Sequence, residues 1–259
     1  MRKLLIFGAT MIALVIPSVA LAVTGASDSF DRSSSSTLGT SSGGQTWIIE
    51  NSSHMWGIKN DKYGAFIPQA GQNHLISAAL VDANQGPAGV KVKAQLRLSN
   101  TGGSANAGLF LDYLNSDNNL FCKFERNDNA EHPRGFISIG KEINGDEASV
   151  ADGTRDGIGS DKIIGASERL LQLGTWYDVS CQRVGNVITA RISGGNLRSP
   201  GYSVTYTLQT SPVDEVAALA GADRHGMRIR YVVDLPGSNE DDGQSRWDNF
   251  AVCSPVSSC

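Results

Sequence analysis

VKVKAQLRLSNTGGSANAGLFLDYLNSDNNLFCKFE, residues Val90–Glu125, is the stretch whose reading decides the fold. Val90, Val92, Ala94, Leu96 and Leu98 alternate with Lys91, Lys93, Gln95, Arg97 and Ser99, a period of two that suits a strand with one wet face. Asn100-Thr101-Gly102-Gly103 breaks the run with turn chemistry. Ala107–Leu114 then returns, Asn115-Ser116-Asp117-Asn118 turns again, and Asn119–Glu125 goes back. The stretch reads as an antiparallel meander with one face towards a core. It contains neither a helical heptad nor a Gly-rich phosphate loop, so the chain reads first as all-β.

Working outward, the same signals recur. Thr46–Glu50, Met55–Lys59, Tyr63–Ile67 and Asn73–Val81 precede the meander, and Gly135–Lys141 follows it. Trp176–Val184 and Val187–Ile192 flank Gly185-Asn186, a two-residue hairpin turn. Gly201–Thr210, Gly226–Val233 and Trp247–Val252 complete about twelve strands separated by Gly, Ser, Asn and Asp turns. Helical turns are expected only within Ile163–Leu173 and Asp214–Leu219. Ser27–Ser42 is polar except for Phe30 and Leu38, so it reads as a tethered segment in which Phe30 plugs an edge of the core.

The beginning of the chain has a different character. Arg2 and Lys3 precede a mostly apolar Leu4–Pro17, and Ala20-Leu21-Ala22 is a small-x-small cleavage site. Residues 1–22 therefore read as a secretory signal peptide, and the apolar run is shorter than the ~20 residues a membrane span needs. The expected product is secreted, periplasmic or extracellular, with no transmembrane segment in the mature chain. Residues 23–252 read as one domain and 253–259 as a short tail. Without Arg2 and Lys3, 20 basic residues stand against 26 acidic ones, a net charge near −6. An acidic chain without a Lys/Arg-rich run gives no footing for nucleic acid.

Cys122, Cys181, Cys253 and Cys259 all lie in the mature part, where an even number favours two disulfides with three possible connectivities. Cys122 is in phase with Leu120 and Phe124, and Cys181 with Tyr177 and Val179, so both point into the core. That predicts Cys122–Cys181, from strands that could be neighbours, and leaves Cys253–Cys259 to staple the tail. Asn51-Ser52-Ser53 is also a glycosylation sequon.

Four segments in order carry a resemblance. They are Asp28-Ser29-Phe30-Asp31-Arg32 with Leu38-Gly39 and Trp47; Ala107-Gly108-Leu109-Phe110 with Asn119-Leu120-Phe121; Leu173-Gly174-Thr175-Trp176-Tyr177 with the Gly185 hairpin; and Asp248-Asn249-Phe250-Ala251-Val252. Together they resemble the concanavalin A-like lectin/glucanase superfamily, and within it the laminin-G-like modules. The resemblance implies a two-sheet antiparallel jelly-roll β-sandwich that binds a glycan or a surface partner, in many cases with calcium. The leading expectation is thus a non-catalytic, lectin-like binding module. A polysaccharide hydrolase or lyase, or a structural component of an extracellular layer, are the alternatives.

The residues bear on chemistry unevenly. The glucanases of that superfamily carry Glu-x-Asp-x-x-Glu on one strand. Glu125-Arg126-Asn127-Asp128-Asn129-Ala130-Glu131 has another spacing, and on a strand its two glutamates would stand ~20 Å apart. A glycosidase pair needs ~5–9.5 Å, so no catalytic residue is assigned. His54, His74, His132 and His225 show no metal-ligand spacing and read as surface or satisfied core histidines. Among the large aromatics (Trp56, Tyr113, Trp176, Tyr202, Tyr206 and Trp247), most are expected in the core. Tyr113 with Asp112 and Asn115 at a strand end is the expected ligand-contacting group.

For calcium, which takes six to eight oxygens, Asp31 and Asp248 are the leading candidates. Each lies within two residues of an aromatic plug, Phe30 or Phe250, that could hold its carboxylate in place. The Asp/Gly-rich loop Asp146–Asp161 competes, and turn capping is the bland alternative for both aspartates.

Overall fold

The computed structural model describes residues 23–50, 55–67, 75–83, 89–99, 105–127, 134–147, 162–165, 171–231, 244–254, 256 and 259. The signal peptide, the Asn51 sequon, Glu131 and most of the Asp146–Asp161 loop lie outside these residues. The strands run β1 (Val23–Asp28), β2 (Ile48–Glu50), β3 (Met55–Lys59), β4 (Tyr63–Ile67), β5 (Leu75–Asp82) and β6 (Val90–Ser99). They continue as β7 (Ala105–Asn115), β8 (Asn118–Asn127), β9 (Arg134–Ile143), β10 (Asp146–Glu147) and β11 (Lys162–Ile163). The β12 (Trp176–Val184) and β13 (Val187–Ser193) hairpin leads to β14 (Tyr202–Thr207), helical turn α1 (Glu215–Ala218), β15 (Arg224–Tyr231) and β16 (Gln244–Ser254).

Two antiparallel sheets form the jelly-roll sandwich. The first has the order β14-β13-β12-β6-β16-β4-β3, with β1 also on β16. The second has the order β10-β9-β8-β7-β15-β5-β2, with β11 also on β9. The chain's two ends meet as expected, Asp28 opposite Phe250. The central stretch does not form a single meander. β6 lies between β12 and β16 in the first sheet, while β7 and β8 pair in the second. Period two shows which side chains face inward, and it is silent about which strand lies alongside. Two smaller differences concern boundaries. Ile163 ends a strand rather than opening a helical turn, and Cys253 belongs to β16 rather than to a tail.

The inner faces close on each other as the alternation requires. Val90, Val92, Leu96 and Leu98 of β6 are buried against Leu109 and Leu111 of β7 and Leu120 and Phe124 of β8, in one apolar cluster. Each such large side chain contributes about 1.5–3 kcal/mol on burial. Trp56 and Trp247 are fully buried, and their indole N–H groups donate to Ser77 Oγ and Ser245 Oγ, both at 2.9 Å. The Cys122–Cys181 disulfide joins β8 to β12, and a second disulfide joins Cys253 to Cys259. The first does not bridge neighbouring strands; it crosses between the sheets. Packed sheets normally stand ~10 Å apart, so the 5.7 Å Cα separation marks where the sandwich draws together.

Candidate functional site

On the second sheet, the residues that alternate with the core point to the opposite face. In β8 these are Asn119, Phe121, Lys123 and Glu125, in β15 Arg228, and in β9 Ser138, Gly140 and Glu142. A polar strand face would ordinarily be wet, yet Phe121, Lys123, Ser138 and Arg228 are each no more than 3% exposed. Phe110, Tyr113 and Phe121 form a second apolar cluster there with Ala78 and Leu80. Tyr113 reaches this face because the β7–β8 register shifts between Phe110 and Asp112.

The shift also decides which face each strand residue of the group expected from the sequence takes. Asp112 is fully buried and accepts from Arg183 Nη1 of β12 at 2.5 Å, across the sandwich. Asn115 is exposed in the β7–β8 turn, its side chain accepting from Asp117 N at 3.0 Å. Of the three, only Tyr113 lines the cavity that the outer face encloses.

The cavity has a volume of about 290 Å³, near the lower end of the ~300–1,000 Å³ of ligand pockets. Its apolar wall is Ile76, Ala78, Phe110 and Phe121, and its polar groups include Glu50, Tyr113, Asn119, Glu142 and Arg228. Arg228 is held by stacking on Phe121, 4.1 Å from the ring centroid, and by donating to Asn106 Oδ1 at 3.0 Å. Glu50 accepts from Tyr113 Oη at 2.5 Å with one carboxylate oxygen and from Arg224 Nη1 at 2.7 Å with the other. Arg224 also lies over the Tyr113 ring, 5.1 Å from its centroid. Asn119 donates to Glu142 Oε2 at 3.4 Å, and its amide is fixed by Ser116 O at 2.8 Å.

The hydroxyl of Tyr113 holds its proton tightly. Burial pushes its pKa up, the hydrogen bond to Glu50 and that residue's charge add to this, and Glu142 adds further against the opposing charge of Arg224. Tyr113 therefore meets a ligand at neutral pH as a hydroxyl, and Glu142 lies close enough for its charge to be felt there.

Glu50 and Glu142 stand on strands five steps apart in the sheet. Their side chains enter one cavity from its two sides, and Tyr113, on β7 between them, is the group that touches Glu50 directly.

Gly140 makes room for this arrangement, because a Cβ there would run into the Phe121 ring. Gly140→Ala is expected to push Phe121 and the stacked Arg228 into the cavity. Ligand affinity should fall at least tenfold in isothermal titration, while the melting temperature drops by only a few degrees, an order-of-magnitude expectation for one overpacked contact. Unchanged affinity would show that the Phe121 wall does not shape the site.

The calcium candidates lie elsewhere, where β1 meets β16. Asp31 is exposed and Asp248 is half-buried, accepting from Asn249 N at 2.7 Å. Burial pushes the Asp248 carboxyl up, and the nearby charges of Asp31 and Asp28 act in the same direction. Asp28 is committed to Arg32, Trp47 and the Phe30 N–H. Two carboxylates fall short of the six to eight oxygens calcium takes. Among the described residues no group of three or more His, Cys, Asp or Glu side chains is placed to hold a metal ion.

The other residues singled out from the sequence have structural places. Trp176 is half-buried with its ring edge-on to Tyr63, and Tyr202 Oη accepts from Gly165 N at 3.0 Å. His225 is fully buried, its Nε2 3.1 Å from Ala83 O, and burial lowers its pKa to about 4. His54, His74 and His132 lie outside the described residues. Glu125 is on the outer face, 3.5 Å from Asn106 Nδ2.

No family model matches the chain, and no curated protein matches it by sequence. Solved structures do match its fold. One, from work on endo-acting O-glycanases that human gut microbiota express to initiate mucin breakdown, superposes with a TM-score of 0.52 at 11% identity, covering 90% of this chain and 99% of that one. The carbohydrate-binding module CBM66 from Bacillus subtilis gives 0.44 at 9% identity over 80% of this chain and 95% of its own. An alginate lyase from Klebsiella pneumoniae gives 0.42 at 13% identity over 76% and 83%. The shared feature is the two-sheet antiparallel sandwich itself. At such low identity the likeness is one of fold. No helix among the described residues is long and apolar enough to cross a membrane.

Proposed function

We propose that the chain is an exported, polysaccharide-active enzyme that holds a sugar ring in the cavity on the outer face of the second sheet. The observation that carries this reading is the convergence of Glu50, Tyr113, Asn119, Glu142 and Arg228 on one cavity with an apolar wall. A sugar ring has an apolar face and a rim of hydroxyls, and the wall with its fixed polar groups complements both. Glu142, oriented by Asn119, is the group suited to trade a proton with a glycosidic oxygen. Release of new reducing ends from glucans, mannan, xylan, fructan, pectin, alginate and mucin O-glycans tests it. Glu142→Gln should lower the active rate by about 10²–10⁴-fold. Silence towards the whole panel would sink the enzymatic reading, and equal rates for both chains would remove Glu142 from the acid–base role.

A binding-only module is the second reading, and one observation favours it: both oxygens of Glu50 are already engaged. It predicts retardation in polysaccharide-containing gels without product. Within this class the four-segment likeness to laminin-G-like modules supports the same non-catalytic assignment.

Calcium at Asp31 and Asp248 is proposed separately. An ion there would draw further oxygens from backbone carbonyls or solvent and would raise the melting temperature as free calcium rises, because only the folded chain would bind it. Equal midpoints in excess calcium and in chelator would remove calcium from the account. A shift that survives Asp31→Ala with Asp248→Ala would move the ion elsewhere.

A further inference from the structure

The geometry points to Tyr113 as the nucleophile of a double-displacement glycoside cleavage, with Glu50 as its proton acceptor and Glu142 as the acid–base group. This rests on the proposed glycan-cleaving reading and goes beyond it by naming the covalent step. Glu50 and Glu142 enter the same cavity, but both oxygens of Glu50 are engaged, by Tyr113 and Arg224, so Glu50 is not placed to attack an anomeric carbon itself. What lies between the two carboxylates is a hydroxyl. Tyr113 Oη already donates to Glu50 Oε2 at 2.5 Å, so the base that must take its proton is in contact with it. Nucleophile, base and orienting group form a chain, because Arg224 grips the other oxygen of Glu50 at 2.7 Å and lies over the tyrosine ring. A tyrosine in this role is a known exception to the two-carboxylate scheme. Glu142 lines the same cavity as Tyr113, which brings the second carboxylate to the site.

In the first step Tyr113 Oη forms a bond to the anomeric carbon as the bond to the leaving oxygen breaks. The phenolic proton passes to Glu50, and protonated Glu142 gives its proton to the leaving oxygen. In the second step water attacks the anomeric carbon and gives a proton to Glu142. The tyrosyl oxygen departs and recovers its proton from Glu50. The net change is glycoside plus water to two sugars, with retained configuration and the enzyme restored.

The test uses the mature chain with the polysaccharide panel and a set of 2-deoxy-2-fluoroglycosyl fluorides of gluco, galacto, manno and xylo configuration. Retention of configuration by NMR and a fluoroglycosyl adduct on the peptide holding Tyr113 by mass spectrometry are expected. Tyr113→Phe keeps the ring and should lose activity by roughly 10³-fold or more while retaining its thermal melt and its affinity for the polysaccharide. Glu50→Gln should slow adduct formation with little change in affinity. Cleavage that inverts configuration, an adduct on another residue, or a Tyr113→Phe chain of full activity overturns the nucleophile and leaves the glycan-cleaving reading standing. No cleavage and no adduct across both sets overturns the two together.

Discussion

Asp28→Ala is expected to lower the unfolding free energy by about 3–5 kcal/mol, the range for breaking a buried ion pair by removing one partner. The Asp28 side chain is fully buried. It accepts from Arg32 Nη1 at 2.6 Å and Nη2 at 2.9 Å, from Trp47 Nε1 at 2.7 Å and from Phe30 N at 2.9 Å. These bonds tie three parts of the amino-terminal segment together. Phe30 sits at φ 56° with its ring fully buried, and Trp47 stacks on it at 5.9 Å and leans on Phe250 at 5.0 Å. Removing the carboxylate leaves a buried indole N–H without its acceptor and the guanidinium, only 28% exposed, without its counter-charge, though still donating to Leu38 O at 2.6 Å. Urea denaturation of both chains checks this, and a midpoint shift worth less than ~1 kcal/mol would show that the segment is held by ring packing alone.

Glu215→Ala is expected to cost a similar amount, about 3–5 kcal/mol. The side chain, 3% exposed, pairs with Lys141 Nζ, accepts from Tyr206 Oη at 2.9 Å and from Gln209 N at 2.9 Å. It is the point at which α1 and the chain around Gln209 attach to β9 and β14. Without it Lys141, 16% exposed, loses this carboxylate partner. Hydrogen exchange should speed up first in residues 208–222, before the strands of the core. Uniform acceleration across the sandwich would mean the cluster is part of the global core rather than a clasp on one segment.

The sequence and the structure agree where a single period suffices. The alternation in Val90–Leu98 and the phase of Cys122 with Leu120 and Phe124 both gave the inner face correctly, because side-chain direction depends only on position along one strand. What one strand cannot encode is its partner. The β6 strand is therefore in the opposite sheet from β7, and the Cys122–Cys181 bridge spans sheets. The site was hidden for the same reason. Glu50, Tyr113, Glu142 and Arg228 come from four strands whose adjacency is set by long-range topology. A local irregularity compounded this: the register shift between Phe110 and Asp112 turns Asp112 inward and Tyr113 outward, the reverse of strict alternation from Leu109. One signal was available. Phe110, Phe121 and Phe136 occupy the face that should be wet, and large aromatics on an outward phase mark a face that something covers.

The most direct test of the account is a crystal structure of the Glu142→Gln chain soaked with glucose-, galactose- and mannose-based oligosaccharides. A sugar ring is expected against Phe110 and Phe121, with hydroxyls within hydrogen-bonding distance of Tyr113 and Asn119. A sugar bound instead on the outer face of the first sheet, beside Lys91, Lys93 and Arg191, would contradict it.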